Sequence, residues 1–134
     1  MKRCEYLTME QIEILLKCYY LRKYTKVADV EGLTVSKVRR IRENALRTLR
    51  LAYSKSHMQG QRFRGEAVLQ HMAERSGMKT EELSNIFDGF ITAGLASENI
   101  KYWERIRKKG DVPTPSELLD FLYDKYEVDI ERFI

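Results

Sequence analysis

Between Val35 and Lys55 the chain carries Lys37, Arg39, Arg40, Arg42, Arg47, Arg50 and Lys55 against a single acid, Glu43. A solvated helix face ordinarily mixes signs, because opposite charges three or four residues apart stabilise it and like charges repel. A run of one sign is chemistry directed outward, at a polyanion. In the same stretch Val38, Ile41, Ala45, Leu46, Leu49 and Ala52 recur at spacings of three and four, the rhythm of a helix with one apolar seam. Val35, Ser36, Lys37, Arg39, Arg40 and Arg42 are then left to point outward, with Arg47 further along the same basic run. Such a helix suits a major groove lined with phosphates, where arginine can pair two donors with one guanine and lysine can neutralise the backbone.

No other chemistry competes with this one. Cys4 and Cys18 lie outside any CxxC pair and near no histidine cluster, so Cys18 reads as a small core residue and no structural zinc is expected. His57 reads as a loop histidine and His71 as a helix-surface or core histidine. Glu81 and Glu82 are adjacent and diverge on a helix. No nucleophile stands with a base, and no glycine-rich loop could cradle a phosphate. The chain is expected not to be an enzyme, and to use no cofactor and no metal.

The elements that must hold the basic helix are short. Thr25 is expected to cap a helix over Lys26 to Glu31, Ala28 to allow close helix approach, and Gly32 to take the positive φ of a tight turn. Thr34 caps the long helix from Val35 to about Ser54, and Val27 and Leu33 close a small core with Val38 and Ile41. This is the pattern of a helix-turn-helix. Upstream, Thr8 and Gln11 make a capping box and Leu7 and Ile12 a hydrophobic staple for a first helix reaching about Arg22. Ile12, Leu15, Leu16 and Tyr19 form its core face, widened by Ile14 and Cys18. Tyr19, Tyr20 and Tyr24 are expected to pack on a neighbouring helix rather than stack on bases.

The chain of 134 residues is 43% hydrophobic and 33% charged, which fits a helix-rich globular protein. No apolar run approaches membrane-spanning length and the first residues lack a signal-peptide core, so a cytoplasmic, nucleoid-associated location is expected. The net charge of +4 is unevenly divided. Residues 1–65 carry 15 lysines and arginines against 6 acids, a net of +9, and residues 66–134 carry 9 against 14, a net of −5. That division points to a nucleic-acid-binding module joined to a segment that avoids nucleic acid.

The expected architecture is all-α. A DNA-binding domain at 1–55, with three helices and a long basic recognition helix, precedes a linker at 56–65 and a helical oligomerisation or partner-binding domain at 66–134. In the second half Met72-Ala73, Gly77-Met78, Leu83 and Ile86 echo Val27-Ala28, Gly32-Leu33, Val38 and Ile41 at a shift of 45 residues. A second helical pair with Thr80 as cap would follow, its outward face carrying Glu81, Glu82, Asn85 and Asp88, which phosphates would repel. Gly94 is read as ending the most hydrophobic helix, that of Phe87, Phe90 and Ile91. Ile100, Trp103 and Ile106 then share a face on a helix ending at 107–110. Thr114, Pro115 and Glu117 start the last helix, and Val128, Ile130, Phe133 and Ile134 fold back or meet a partner.

Leu7 to Arg50 resembles the fourth region of sigma-70-type sigma factors. The resemblance rests on Leu7-Thr8 with Gln11, on Val27-Ala28, on Thr34, and on the run Val38-Arg39, Ile41-Arg42, Ala45-Leu46 and Leu49-Arg50. It implies double-stranded DNA as ligand, with Val35, Ser36, Arg39 and Arg40 at base edges and Thr25, Lys26, Thr34 and Lys37 at phosphates. It also implies contact with RNA polymerase. Glu31 stands where the family usually has an apolar residue, so Val30 is expected to substitute for it and the second helix to be shifted. Nothing upstream corresponds to the sigma region that melts DNA, so a regulator is implied rather than a sigma factor. Two other readings fit the sequence: a phage small-terminase-like packaging protein with oligomerisation helices, and an interaction protein whose acidic half binds a basic partner. A homodimer or larger oligomer is compatible with either DNA-binding reading.

Overall fold

Thr8 leaves the lead-in extended, at φ −84° and ψ 165°. Its hydroxyl accepts from the Gln11 N–H at 3.2 Å, and the Gln11 side chain accepts from the Thr8 N–H at 3.0 Å. The expected capping box therefore starts α1, Met9–Leu21, which ends where Arg22 turns left-handed at φ 65° and donates to the Cys18 carbonyl. The tight exit leaves room for only two residues before the next helix. Consequently α2 is Tyr24–Glu31, starting at an extended Lys23, and Thr25 lies inside its first turn rather than capping it. Gly32, at φ 68°, ends α2, and the Leu33 N–H reaches back to the Ala28 carbonyl at 3.0 Å. Thr34 then caps α3, Val35–Met58, through the Lys37 N–H at 3.1 Å. The helix runs about a turn beyond the expected end.

The structure, a computed structural model, describes residues 6–58, 64–106 and 112–132, and the side chains of 6–52, 65–106 and 112–126. His57, expected in a loop, lies in the last turn of α3, because the helix runs on past Ser54. Expectations for Cys4, residues 107–110, and the side chains of Lys55, Val128, Ile130, Phe133 and Ile134 fall outside the described residues.

After α4, Arg64–Arg75, the echo of the first half becomes geometric. Gly77 takes φ 69°, and the Met78 N–H bonds the Ala73 carbonyl at 3.0 Å, as Leu33 does to Ala28. Val27 and Met72 are buried, as are Ala28 and Ala73, and Val38 and Leu83. The same offset explains why α5, Thr80–Leu95, begins at Thr80 and is capped by Lys79. Lys79 corresponds to Thr34 and Thr80 to Val35. The Lys79 N–H donates to Glu82 at 3.3 Å.

Gly94 does not stop α5. It lies buried within the helix, and a Cβ there would come within 2.2 Å of the Trp103 indole. Beyond it come α6, Ile100–Trp103, and a single 3₁₀ turn, Glu104–Ile106. The expected face of Ile100, Trp103 and Ile106 forms only in part: Trp103 is in the core and Ile106 packs half-buried against it, while Ile100 is left outside. Ile100 is exposed, while Tyr102 and Trp103 are buried. The final helix α7, Pro115–Arg132, starts with the predicted box: Thr114 N–H to Glu117 at 2.9 Å, Glu117 N–H to Thr114 Oγ1 at 3.2 Å. The described residues are thus all-α.

The expected linker at 56–65 does not separate two cores. One continuous core takes Leu15 and Leu16 from α1, Leu46 and Leu49 from α3, Val68 and Met72 from α4, Phe87 from α5, Trp103 from α6 and Leu122 from α7. A smaller cluster of Ile14, Val27, Ala28 and Val38 joins α1, α2 and α3. Polar bonds cross the same seam. Glu13 accepts from the Asn99 amide at 2.9 Å and from the Trp103 indole N–H at 3.1 Å. The Tyr126 hydroxyl donates to the Leu15 carbonyl, and the Gly65 N–H donates to Asp120 at 2.9 Å.

Two helical glycines make this packing testable. Gly94→Ala drives a methyl into the Trp103 ring and should cost about 1–3 kcal/mol in denaturant unfolding. Gly89→Ala, with nothing within 4 Å of its Cβ position, should instead gain about 0.5–1 kcal/mol. Equal effects would contradict the placement of α5 against α6.

Candidate nucleic-acid interface

The inner side of α3 is fixed by burial: Val38, Ala45, Leu49 and Ala52 are fully enclosed and Leu46 nearly so. Opposite them Ser36, Lys37, Arg40, Glu43, Asn44, Arg47 and Leu51 are exposed. Ser36, Arg40 and Arg47 follow one stripe, which at about 1.5 Å per residue runs roughly 16 Å along the helix. Three cations on that side stand against one acid. Thr25, Lys26 and Thr34 are also exposed, on α2 and on the turn that joins it to α3. The Thr34 hydroxyl is engaged by the Lys37 N–H.

Arg39 and Arg42 are arranged differently from Arg40. Arg39 is exposed, but its guanidinium lies 5.1 Å from the Tyr24 ring centroid, at the start of α2. Arg42, expected to point outward, is half-buried and lies 5.5 Å from the ring of Tyr126 on α7. Val35 is half-buried too, because it packs with Leu33 and Ile41 on the small cluster between α2 and α3. Neither faces solvent as a free surface residue would.

Glu31 has a partner that the spacing did not reveal. It pairs with Lys17, whose side chain is 3% exposed, so a buried ammonium from α1 meets the end of α2. Val30 does not take Glu31's place, being 56% exposed. The tyrosines pack, as expected. Tyr19 and Tyr20 meet edge to face at 4.8 Å, and Tyr19 meets Phe121 of α7 at 6.2 Å.

Sequence reasoning missed a cleft of about 250 Å³ where α1 ends, lined by Cys18, Tyr19, Arg22, Lys23, Tyr24, Arg42, Lys125 and Tyr126. No local spacing links Lys125 to Arg22, so only the tertiary fold brings them together. Burial pushes the Cys18 thiol up to about 11, against a lowering pull from Arg42.

The corresponding surface of the second unit carries opposite charge. At the 45-residue offset Ser36, Lys37 and Arg40 become Glu81, Glu82 and Asn85, all exposed. His71 is a core histidine of α4, its Nδ1 3.7 Å from the Glu74 carboxylate. Among the described residues no three histidine, cysteine or acidic side chains gather as metal ligands, and no helix is long and apolar enough to cross a membrane. No protein-family model matches this sequence, and no curated protein or solved structure matches it either.

The Cys18 environment predicts a slow thiol. In a Cys4→Ser protein, alkylation by iodoacetamide should rise about tenfold per pH unit from pH 8 to pH 10, because the thiolate forms only near pH 11. A rate that levels off below pH 9 would show that the thiol is not buried as described.

Proposed function

We propose that the protein is a sequence-specific DNA-binding transcriptional regulator, with α2 and α3 acting as a helix-turn-helix of the sigma region-four kind. The observation that carries this reading is the outer side of α3, where Lys37, Arg40 and Arg47 are exposed with only Glu43 opposing them. A double helix supplies the matching phosphates, and counterion release makes such contacts favourable at moderate salt. In this reading Ser36, Arg39 and Arg40 approach base edges from the N-terminal half of α3, while Thr25, Lys26, Thr34 and Lys37 neutralise or bond phosphates. Arg47 extends the backbone contact, and Arg42 orients α3 against α7 rather than reading a base. RNA polymerase is the second partner, and residues 66–134 supply the polymerase-binding or oligomerising surface, with the acidic side of α5 turned away from DNA. The protein acts in the cytoplasm on nucleoid DNA.

Selection of bound duplexes from a random pool tests the reading. Arg40→Ala should relax preference at one base position by about 1–3 kcal/mol. Lys37→Ala should instead weaken all sequences alike and lower the salt slope by about one. If Arg39→Ala and Arg40→Ala both left the preference intact, α3 would not be the reader. A ring of many subunits in solution would favour the packaging protein instead.

A further inference from the structure

The cleft at the end of α1 is lined by none of Ser36, Arg40 and Arg47, the outward stripe of α3, and draws on both halves of the chain. Arg22 and Lys23 come from the α1–α2 connection, Arg42 from α3 and Lys125 from α7. None of the described residues lining it is acidic, although the chain holds 20 acids to 24 lysines and arginines.

The cations are held close together. Tyr19 carries two on its ring, the Arg22 guanidinium carbon at 4.7 Å and the Lys125 Nζ at 5.2 Å from its centroid, so the two charges lie within 10 Å of each other. Arg42 rests on Tyr126, whose hydroxyl is tied to the Leu15 carbonyl. The rings attract cations and fix their stems, but carry no net charge to neutralise them. The Cys18 thiol is neutral near pH 7. The carbonyl end of α1 offers about half a negative charge. Among the described residues, no carboxylate is paired with Arg22, Lys23 or Lys125. Even with Arg42 assigned to its contacts on α7, three clustered cations exceed what the helix end can balance.

Volume narrows the missing anion. About 250 Å³ falls short of the several hundred that enclose a drug-sized ligand, and suits a compact oxyanion. Arginine's planar fork pairs well with phosphate oxygens, and lysine adds point charge. We propose that this cleft is a phosphate-binding site for an oxyanion of up to diphosphate size. The anion is either free, or a backbone phosphate of a nucleic acid lying against the end of α1. This proposal does not depend on α3 reading bases.

The test uses the full chain and inorganic diphosphate at constant ionic strength, with the thermal midpoint followed by the fluorescence of Trp103, the only tryptophan. A ligand bound only by the folded state raises the midpoint saturably. Because Arg22 and Lys125 are exposed and clustered with like charges, Arg22→Gln with Lys125→Gln should hold or raise the ligand-free midpoint while weakening diphosphate tenfold or more. Arg40→Ala should leave diphosphate binding unchanged. A second arm measures the salt dependence of duplex binding by Lys125→Gln. No diphosphate effect, but a salt slope lowered by about one, would identify the phosphate as that of the backbone. No change in either arm overturns the proposal. Equal stabilisation of the double variant by diphosphate overturns it as well, since the anion would then bind elsewhere.

Discussion

The fold depends on α4 being buried from two sides, between α3 and α7. Its apolar residues Val68, Leu69, Met72 and Ala73 are all in the core, and Gly65 lets its first turn meet the start of α7 at a distance no Cβ would tolerate. Fixing α4 fixes α3, whose inner residues fill the same core. Fixing α7 in turn places Tyr126 under Arg42 and against the Leu15 carbonyl. The outer side of α3 is thereby presented on a rigid body rather than on a small independent domain. A basic helix whose inner side is anchored at every turn loses little further entropy when it meets a ligand.

Much of the local structure was legible because its causes are local. The boxes at Thr8 with Gln11 and Thr114 with Glu117, the Thr34 cap and the positive φ of Gly32 each involve residues within four positions of one another. What was not legible depends on distant partners. Gly94 reads as a helix stop, yet it is small because Trp103 lies on it. Arg42 reads as outward by its place in a basic run, but Tyr126, more than eighty residues away, gives it an inward resting place. Local spacing raises no expectation for Lys17, and its burial depends on Glu31 at the end of α2. The charge division between the halves was legible; that they share a core was not, since charge patterns the surface and apolar periodicity does not say which helices meet.

The two helix–glycine–helix units make the point about charge most directly. They share turn geometry, backbone bonding and buried positions at a constant offset, while their corresponding exposed residues differ in sign. Packing constrains one side of each helix and leaves the other open to whatever partner it serves. On the first unit that side is basic and accompanied by a second basic region around α1's end. On the second it is acidic, through the exposed Glu81 and Glu82, so the two units present opposite charge at corresponding positions.

Recovery of fragmented genomic DNA by the purified protein at about 150 mM salt, a concentration that suppresses purely electrostatic binding, tests the central claim most directly. The account predicts enrichment of fragments upstream of genes that share a short motif. Binding that fades as salt rises, with no fragment enriched, would contradict it: the basic side of α3 would then attract polyanions without reading them.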